Sequence, residues 1–343
     1  MSAPTTLTGF EHVGLFYRGL DDYVSGLSGF VRDGLAIGAA VAVAVPAPRL
    51  ALLRDRLGPG VAARVSWLDM TVAGRNPGRI IPEVLYATME RHAGRRVHIV
   101  DELTWPDRTE VEYPACGAHE ALVNHAFGTR DATILCPYDA EHLDPAVLAD
   151  AHRTHPALVE GDRRWASDRY RPDAVAGFNL PLPPPPTDAA VITFGQTHEL
   201  ATVRAFAADE AQAAGVVGDR AAELLVAVNE LATNTLVHTS GPGSLAAWTE
   251  PGLLVLQLHD TGDLRDPLAG RIPPTDPVEH GRGLLLVNAF CDLVRIHSDR
   301  DGTTVRLHIA LPDASSTVRS PWPAGPGRTG QLSRSANGHV PQR

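Results

Sequence analysis

Apolar residues in the first half of the chain follow two alternating rhythms. "HVGLFY" (12–17), "AVAVAVP" (40–46), "RVSWLDM" (64–70), "RVHIVDEL" (96–103) and "DATILCPY" (131–138) have strand character, and "AVAVAVP" is a continuous β-rich run like a buried parallel strand. Between them, "LDDYVSGLSGFVRDGLAIG" (20–38), "PRLALLRDRLG" (48–58), "PGRIIPEVLYATMERHA" (77–93), "CGAHEALVNHAF" (116–127) and "DPAVLADAHRTHP" (144–156) read as helices. Strands alternating with helices predict a parallel α/β layer over residues 9–160.

Residues 161–189 break the rhythm. They are rich in arginine and proline, and the run Pro183–Pro186 predicts an extended, stiff spacer between two domains. A second pattern runs from 190 to 312. "AVITFG" predicts a strand, and "HELATVRAFAADEAQAAG" and "DRAAELLVAVNELATNTLVHT" predict two long amphipathic helices. "SLAAWTE" and "LLVLQLHDTG" follow as strands, then the helix "GRGLLLVNAFCD" and a hairpin of "LVRIHSD" and "TTVRLHIALP" around "RDG". This order predicts an α+β unit, with helices on one face of a mostly antiparallel sheet. Residues 313–343 are rich in Ser, Pro, Gly and Arg and are expected to form a disordered tail.

Composition narrows the function classes. The 343 residues suffice for two domains with separate cores. A formal net charge of -10 argues against broad binding to a phosphate backbone, and so against direct DNA binding. It suits a basic protein partner or simple solubility. The sequence has no lysine, which excludes Walker-type, Schiff-base and catalytic lysine chemistry. Three dispersed cysteines (Cys116, Cys136, Cys291) form no disulfide framework and no CxxC site. The absence of a signal pattern, and a longest apolar run too short to span a bilayer, lead us to expect a cytoplasmic protein without a membrane segment.

The candidate chemistry lies in the second unit, in four ordered elements. Glu230 and Asn234 stand four apart on one helix face, where a carboxylate and an amide oxygen can orient a hydroxyl and ligate Mg2+. In "HDTGD" (259–263), Asp260 ends a strand and can accept from an exocyclic amine, while Gly262 lets backbone approach a flat ring. "GRGLLLV" (281–287) sets two glycines before an apolar helix, leaving N–H groups free for phosphate. "DGTTVRL" (301–307) brings a small hydroxyl on the last hairpin.

Together, in this order, the four elements resemble the GHKL superfamily of Bergerat-fold ATPases, within it the anti-sigma-factor serine/threonine kinase branch, across about residues 190–312. The resemblance implies a Bergerat sandwich binding ATP and Mg2+. Glu230 would be the general base, Asn234 the Mg2+ ligand, and Asp260 the reader of the adenine amine, assisted by Thr304. Gly262, Gly281 and Gly283 would line the pocket, with Arg282 beside the phosphates. Residues 264–280 would form a compact lid, though Leu264 stands where the branch often has glycine. The implied partner is an anti-anti-sigma or sigma factor protein, and a homodimer is compatible with the fold. Two alternatives are a module that sequesters its partner with little catalysis and a histidine kinase using His198 of "THEL" (197–200), although no separate two-helix dimerisation segment precedes the ATPase unit.

The first unit resembles the MEDS sensory domain in "HVGLFY", "FVRDGLAIGAAVAVAVP", "DMTVAGRNPGRIIP", "CGAHEALVNHAF" and "ILCPYD". The resemblance implies a RecA-like fold without a P-loop, and a sensory or protein-binding role. Polar candidates there are His12, Tyr17, Arg75, Asn76, Glu102, His119, Glu120 and Asn124, each of which also fits ordinary capping or a surface polar group. "HRTH" sets His152 and His155 three apart, but a metal site needs further ligands and none is obvious along the chain. Cys116 and Cys136 suit either redox sensing or simple burial.

Overall fold

The continuous apolar runs become a parallel sheet. The computed structural model describes residues 9–106, 108–274 and 281–312; the expected tail and residues 275–280 of the expected lid lie outside them. Strands β1 (Glu11–Tyr17), β2 (Ala40–Val45), β3 (Val65–Asp69), β4 (Val97–Asp101), β5 (Ala132–Asp139) and β6 (Ala157–Glu160) pair in parallel. β7 (Arg163–Ala166) adds an antiparallel edge, giving the order β3-β2-β4-β5-β1-β6-β7. Helices α1 (Gly19–Ala36), α2 (Ala47–Leu57) and the short α3 (Pro59–Ala62) lie over one core layer, built on Val13, Leu15, Val41, Val43 and Leu135. The opposite layer, around Ala42, Ile99, Ile134 and Tyr138, lies under α4 (Met70–Ala73), α5 (Ala87–Arg91), α6 (Tyr113–Phe127) and α7 (Pro145–Thr154). The expected helix over 77–93 divides. A 3-10 turn (Pro77–Arg79) and a wide π-turn (Ile80–Tyr86) precede α5, and Pro82, which has no N–H to donate, falls within the π-turn.

The second unit is antiparallel throughout. Strands β8 (Ala190–Phe194), β9 (Gly243–Glu250), β10 (Leu253–Asp260), β11 (Leu293–Asp299) and β12 (Gly302–Ala310) take the order β11-β12-β10-β9-β8. Alternate residues Leu254, Leu256 and Leu258 of β10 turn to one face, as the period of two requires. There they meet Val203 and Ala207 of α8 (Leu200–Ala213), Leu224, Val228 and Leu231 of α9 (Gly218–His238), and Val287 of α10 (Gly283–Phe290).

The other face mixes buried polar groups with a small apolar cluster of Ala246, Trp248 and Val255, and other parts of the chain cover it. Arg306 donates to Gln257 Oε1 (2.8 Å) and to Pro183 O, while Arg295 donates to Val111 O (2.6 Å). The segment expected to be a featureless spacer is therefore partly structured. It supplies β7, buries Phe178 against Gly117, and clips Asn179 to Ser298 through bonds of 2.7 and 3.0 Å. Its arginines hid this, because an edge strand beside water needs few apolar residues. Among the described residues, no helix is long and apolar enough to cross a membrane.

Candidate functional site

α9 buries Leu224, Ala227, Val228, Leu231, Ala232 and Thr235. Glu230 and Asn234 lie half-buried at the margin of that stripe. Among the described residues neither side chain makes a hydrogen bond. The start of α10 lies over the pair: a Cβ on Gly283 would stand 2.9 Å from Glu230 Oε2 and 3.3 Å from Asn234 Nδ2. Among the described residues no side chain caps α10, and the bond Leu286 N–Arg282 O (3.0 Å) leaves the N–H groups before Leu286 without intrahelical partners. Gly281, with φ of 119°, makes the approach to this helix, and Arg282 is exposed.

Asp260 is bound to the same helix. Its Oδ2 accepts from the Thr235 hydroxyl (2.7 Å), and its Oδ1 accepts from Gly262 N–H (2.8 Å). Gly262 has no room for a side chain, since a Cβ would come within 2.7 Å of Thr239 Cγ2. Gly302, with φ of 134°, brings the hairpin against the end of β10; a Cβ there would lie 2.1 Å from Asp260 O. Asp260 pairs in register with Thr303, and His259 pairs with Thr304. The Thr303 hydroxyl lies 2.9 Å from Gly262 O and 2.7 Å from Ser298 Oγ, which accepts from Leu264 N–H (2.9 Å). The Thr304 hydroxyl instead meets exposed His259 at 3.0 Å. Thr304, expected to assist Asp260, therefore lies on the His259 side of the strand, while Thr303 lies beside Gly262. Neighbouring strand residues face opposite sides, and a one-residue error flips the side chain.

The segment expected to be a lid is anchored where it is described. Leu268 and Ile272 pack against the core of the first unit. Asn288 of α10 donates to Gly270 O (3.2 Å), and buried Arg271 donates to Pro77 O (3.1 Å). Burial lowers Arg271 to about 10. Two of the first unit's polar candidates join here: Asn76 donates to Asn288 O (2.9 Å), and Arg75 pairs with Asp292 (3.1 Å). His198 sits apart, exposed in the capped turn before α8.

The remaining candidates of the first unit divide into two clusters. His12, His119, Glu120 and Asn124 lie below the sheet around α6. Tyr17 and Glu102 lie at strand ends: Glu102 accepts from Tyr23 (2.6 Å) and pairs with Arg49 (2.8 Å), which also donates to Tyr17 (2.5 Å). Burial raises Glu102 to about 7, against the pull of Arg49. The folded protein therefore binds the proton more tightly than the unfolded chain. This contribution is full below pH 4.5 and is lost as pH rises to about 7. We expect urea unfolding to show a loss of about 3 kcal/mol across that interval that Glu102→Gln flattens. An unchanged slope in the variant would refute this origin.

Residues 11–156 match the family model described as MEDS, the methanogen/methylotroph DcmR sensory domain, and residues 195–309 match that of the histidine kinase-like ATPase domain. No curated protein matches the chain. A crystal structure of the RsbU and RsbW domains of Rv1364c from Mycobacterium tuberculosis is similar at 22% identity and a TM-score of 0.29, over 39% of this chain and 35% of that one. The match thus spans about a third of the length of that solved chain.

Proposed function

We propose that this chain, a MEDS domain followed by a histidine kinase-like ATPase domain, is a signalling regulator. In this reading it binds ATP with Mg2+ and phosphorylates a serine or threonine of a protein partner of the anti-anti-sigma type. The observation that carries the proposal is the convergence on α9: Glu230 and Asn234 face the start of α10, and Asp260 is bonded to Thr235, the residue after Asn234.

The residues fit the groups that this activity requires. The Asn234 amide oxygen is a donor of the kind Mg2+ prefers, and no described residue occupies it. The ion, when bound, would spread the charge of the triphosphate. The N–H groups at Gly283 and after it would hold phosphate oxygens, with Gly281 and Arg282 alongside. Asp260, fixed by Thr235 and Gly262, would accept from the adenine amine. Glu230 would orient the incoming hydroxyl and take its proton.

Thr303 would support Asp260 by holding Gly262 and Ser298. Thr303→Val is expected to weaken ATP binding about tenfold by titration calorimetry, the cost of two bonds left unmade. Thr304→Val should change it less than twofold, and equal effects would refute the assignment.

Control by the N-terminal domain rests on the contacts of Arg75 and Asn76 with Asp292 and Asn288. A second reading, partner sequestration without catalysis, draws on Leu264, whose backbone is held to Ser298. Labelling separates the two. Full-length protein incubated with γ-labelled ATP and a co-purified partner should yield an acid-stable label on the partner. A retained but unlabelled partner favours sequestration, and absence of nucleotide binding defeats both.

A further inference from the structure

Four buried side chains from separate parts of the N-terminal domain converge on one point. His12 opens β1, Cys136 lies on the neighbouring β5, Glu120 lies on α6, and His155 follows α7. His155, beyond the last helical residue, adopts an extended conformation (φ -109°, ψ 122°), whereas its sequence neighbour His152 stacks on Phe16. His12 Nε2 lies 3.3 Å from Cys136 Sγ and 3.4 Å from Glu120 Oε2, and His155 Nε2 lies 3.4 Å from that same oxygen. All four candidate donor atoms fall within 4.8 Å of one another.

We propose that His12, Glu120, Cys136 and His155 together bind one Zn2+ ion. Three observations support a built site. First, three of the six donor separations already fit: tetrahedral bonds of about 2.0–2.3 Å put neighbouring donors roughly 3.3–3.6 Å apart, and His12–Cys136, His12–Glu120 and His155–Glu120 stand at 3.3, 3.4 and 3.4 Å. Second, the outer shell turns both imidazoles the right way. His12 Nδ1 meets Asn124 Oδ1 at 3.2 Å, and Asn124 is fixed by donating to Thr154 O (2.7 Å). His155 Nδ1 meets Ala151 O at 2.9 Å. Each ring thus donates from Nδ1 and turns the lone pair of Nε2 to the centre, the usual arrangement of a ligating histidine.

Third, the protein alone leaves the centre unsatisfied. Glu120 Oε2 and His155 Nε2 are buried with no hydrogen-bond partner among the described residues. A carboxylate facing two imidazole lone pairs in a dry interior is costly, and a cation bonded to all of them removes the cost. Nitrogen, sulfur and carboxylate donors in a closed tetrahedron suit Zn2+. Binding replaces the Cys136 S–H bond with a metal–sulfur bond and releases one proton to solvent. With every position filled by protein, the ion joins β1, β5, α6 and the segment after α7 and leaves no place for a substrate.

The test uses the full chain. Protein from zinc-supplemented culture should hold about one zinc per folded molecule by elemental mass spectrometry. Protein from cobalt-supplemented medium should show a near-ultraviolet thiolate-to-cobalt absorption that Cys136→Ser removes. Cys116→Ser and Cys291→Ser should leave that absorption intact. Should Cys136→Ser fail to fold, wild-type metal content and these two controls still decide the matter. Folded wild type lacking metal from both media, an absorption that survives Cys136→Ser, or one lost in either control would overturn the proposal.

Discussion

Glu230→Ala is expected to leave ATP affinity within a fewfold of wild type while transfer of the γ-phosphate falls about 10²–10⁴-fold, the usual contribution of a general base. The separation follows from what each group touches. Glu230 is half-buried and makes no hydrogen bond among the described residues, so truncating it breaks no such bond there and should barely move the melting temperature. The groups assigned to nucleotide binding are held by other bonds: Asp260 by Thr235 and Gly262, and α10 by its packing on α9. Glu230→Gln sharpens the test, because an amide of the same size can orient a hydroxyl but cannot take its proton. Calorimetry reads the binding, and single-turnover labelling reads the transfer. Equal losses in both would mean that Glu230 binds ATP rather than acting as a base.

The sequence made this site legible because its residues are local. Glu230 and Asn234 are one helical turn apart, and "GRG" directly opens α10. The alternation of apolar runs likewise predicts β1 to β5 and their helices, because strands buried on both faces carry a strong signal. What escaped depended on register or on distant contacts. Two adjacent threonines offer the same chemistry, and the pairing of Asp299 with Gly302 is what puts Thr303 beside Asp260. The four proposed zinc ligands span positions 12 to 155, and the adjacency of β1, β5 and β6, with α6 packed on the sheet, joins them. β6 and β7 were obscured because they are short, and β7 is mostly exposed. The anchoring of the expected lid was invisible for a related reason: Leu268 and Ile272 lie in a proline-rich stretch, and the Pro77 carbonyl that Arg271 reaches lies 194 residues earlier.

That anchoring supplies the second large effect, from Gly78→Ala. A Cβ at this position would stand 1.8 Å from Asn288 Oδ1 and 2.5 Å from its Cγ, so both groups cannot stay. Asn288 cannot yield cheaply. It is buried, its Nδ2 donates to Leu284 O (3.0 Å) and Gly270 O (3.2 Å), and its Oδ1 accepts from Asn76 Nδ2 (3.4 Å), which also donates to the Asn288 backbone O (2.9 Å). Rotating it away leaves the buried Asn288 amide and Gly270 O unpaired, at about 1–3 kcal/mol each. Pushing the domains apart instead exposes Leu268 and Ile272 and removes Pro77 O from buried Arg271. Either route should destabilise the chain by about 4 kcal/mol in urea unfolding. Gly29→Ala is the control: nothing lies within 4 Å of its Cβ in α1, so it should be neutral or slightly stabilising. Arg75→Ala should cost less than Gly78→Ala, because Asp292 keeps Arg220. If these contacts carry control from the MEDS domain to the ATPase site, Gly78→Ala will also change ATP turnover in the folded fraction by about 5–150-fold, the usual range of coupling energies. A variant that is destabilised but turns over ATP at the wild-type rate would make the contact a structural joint only, and the control would have to run elsewhere.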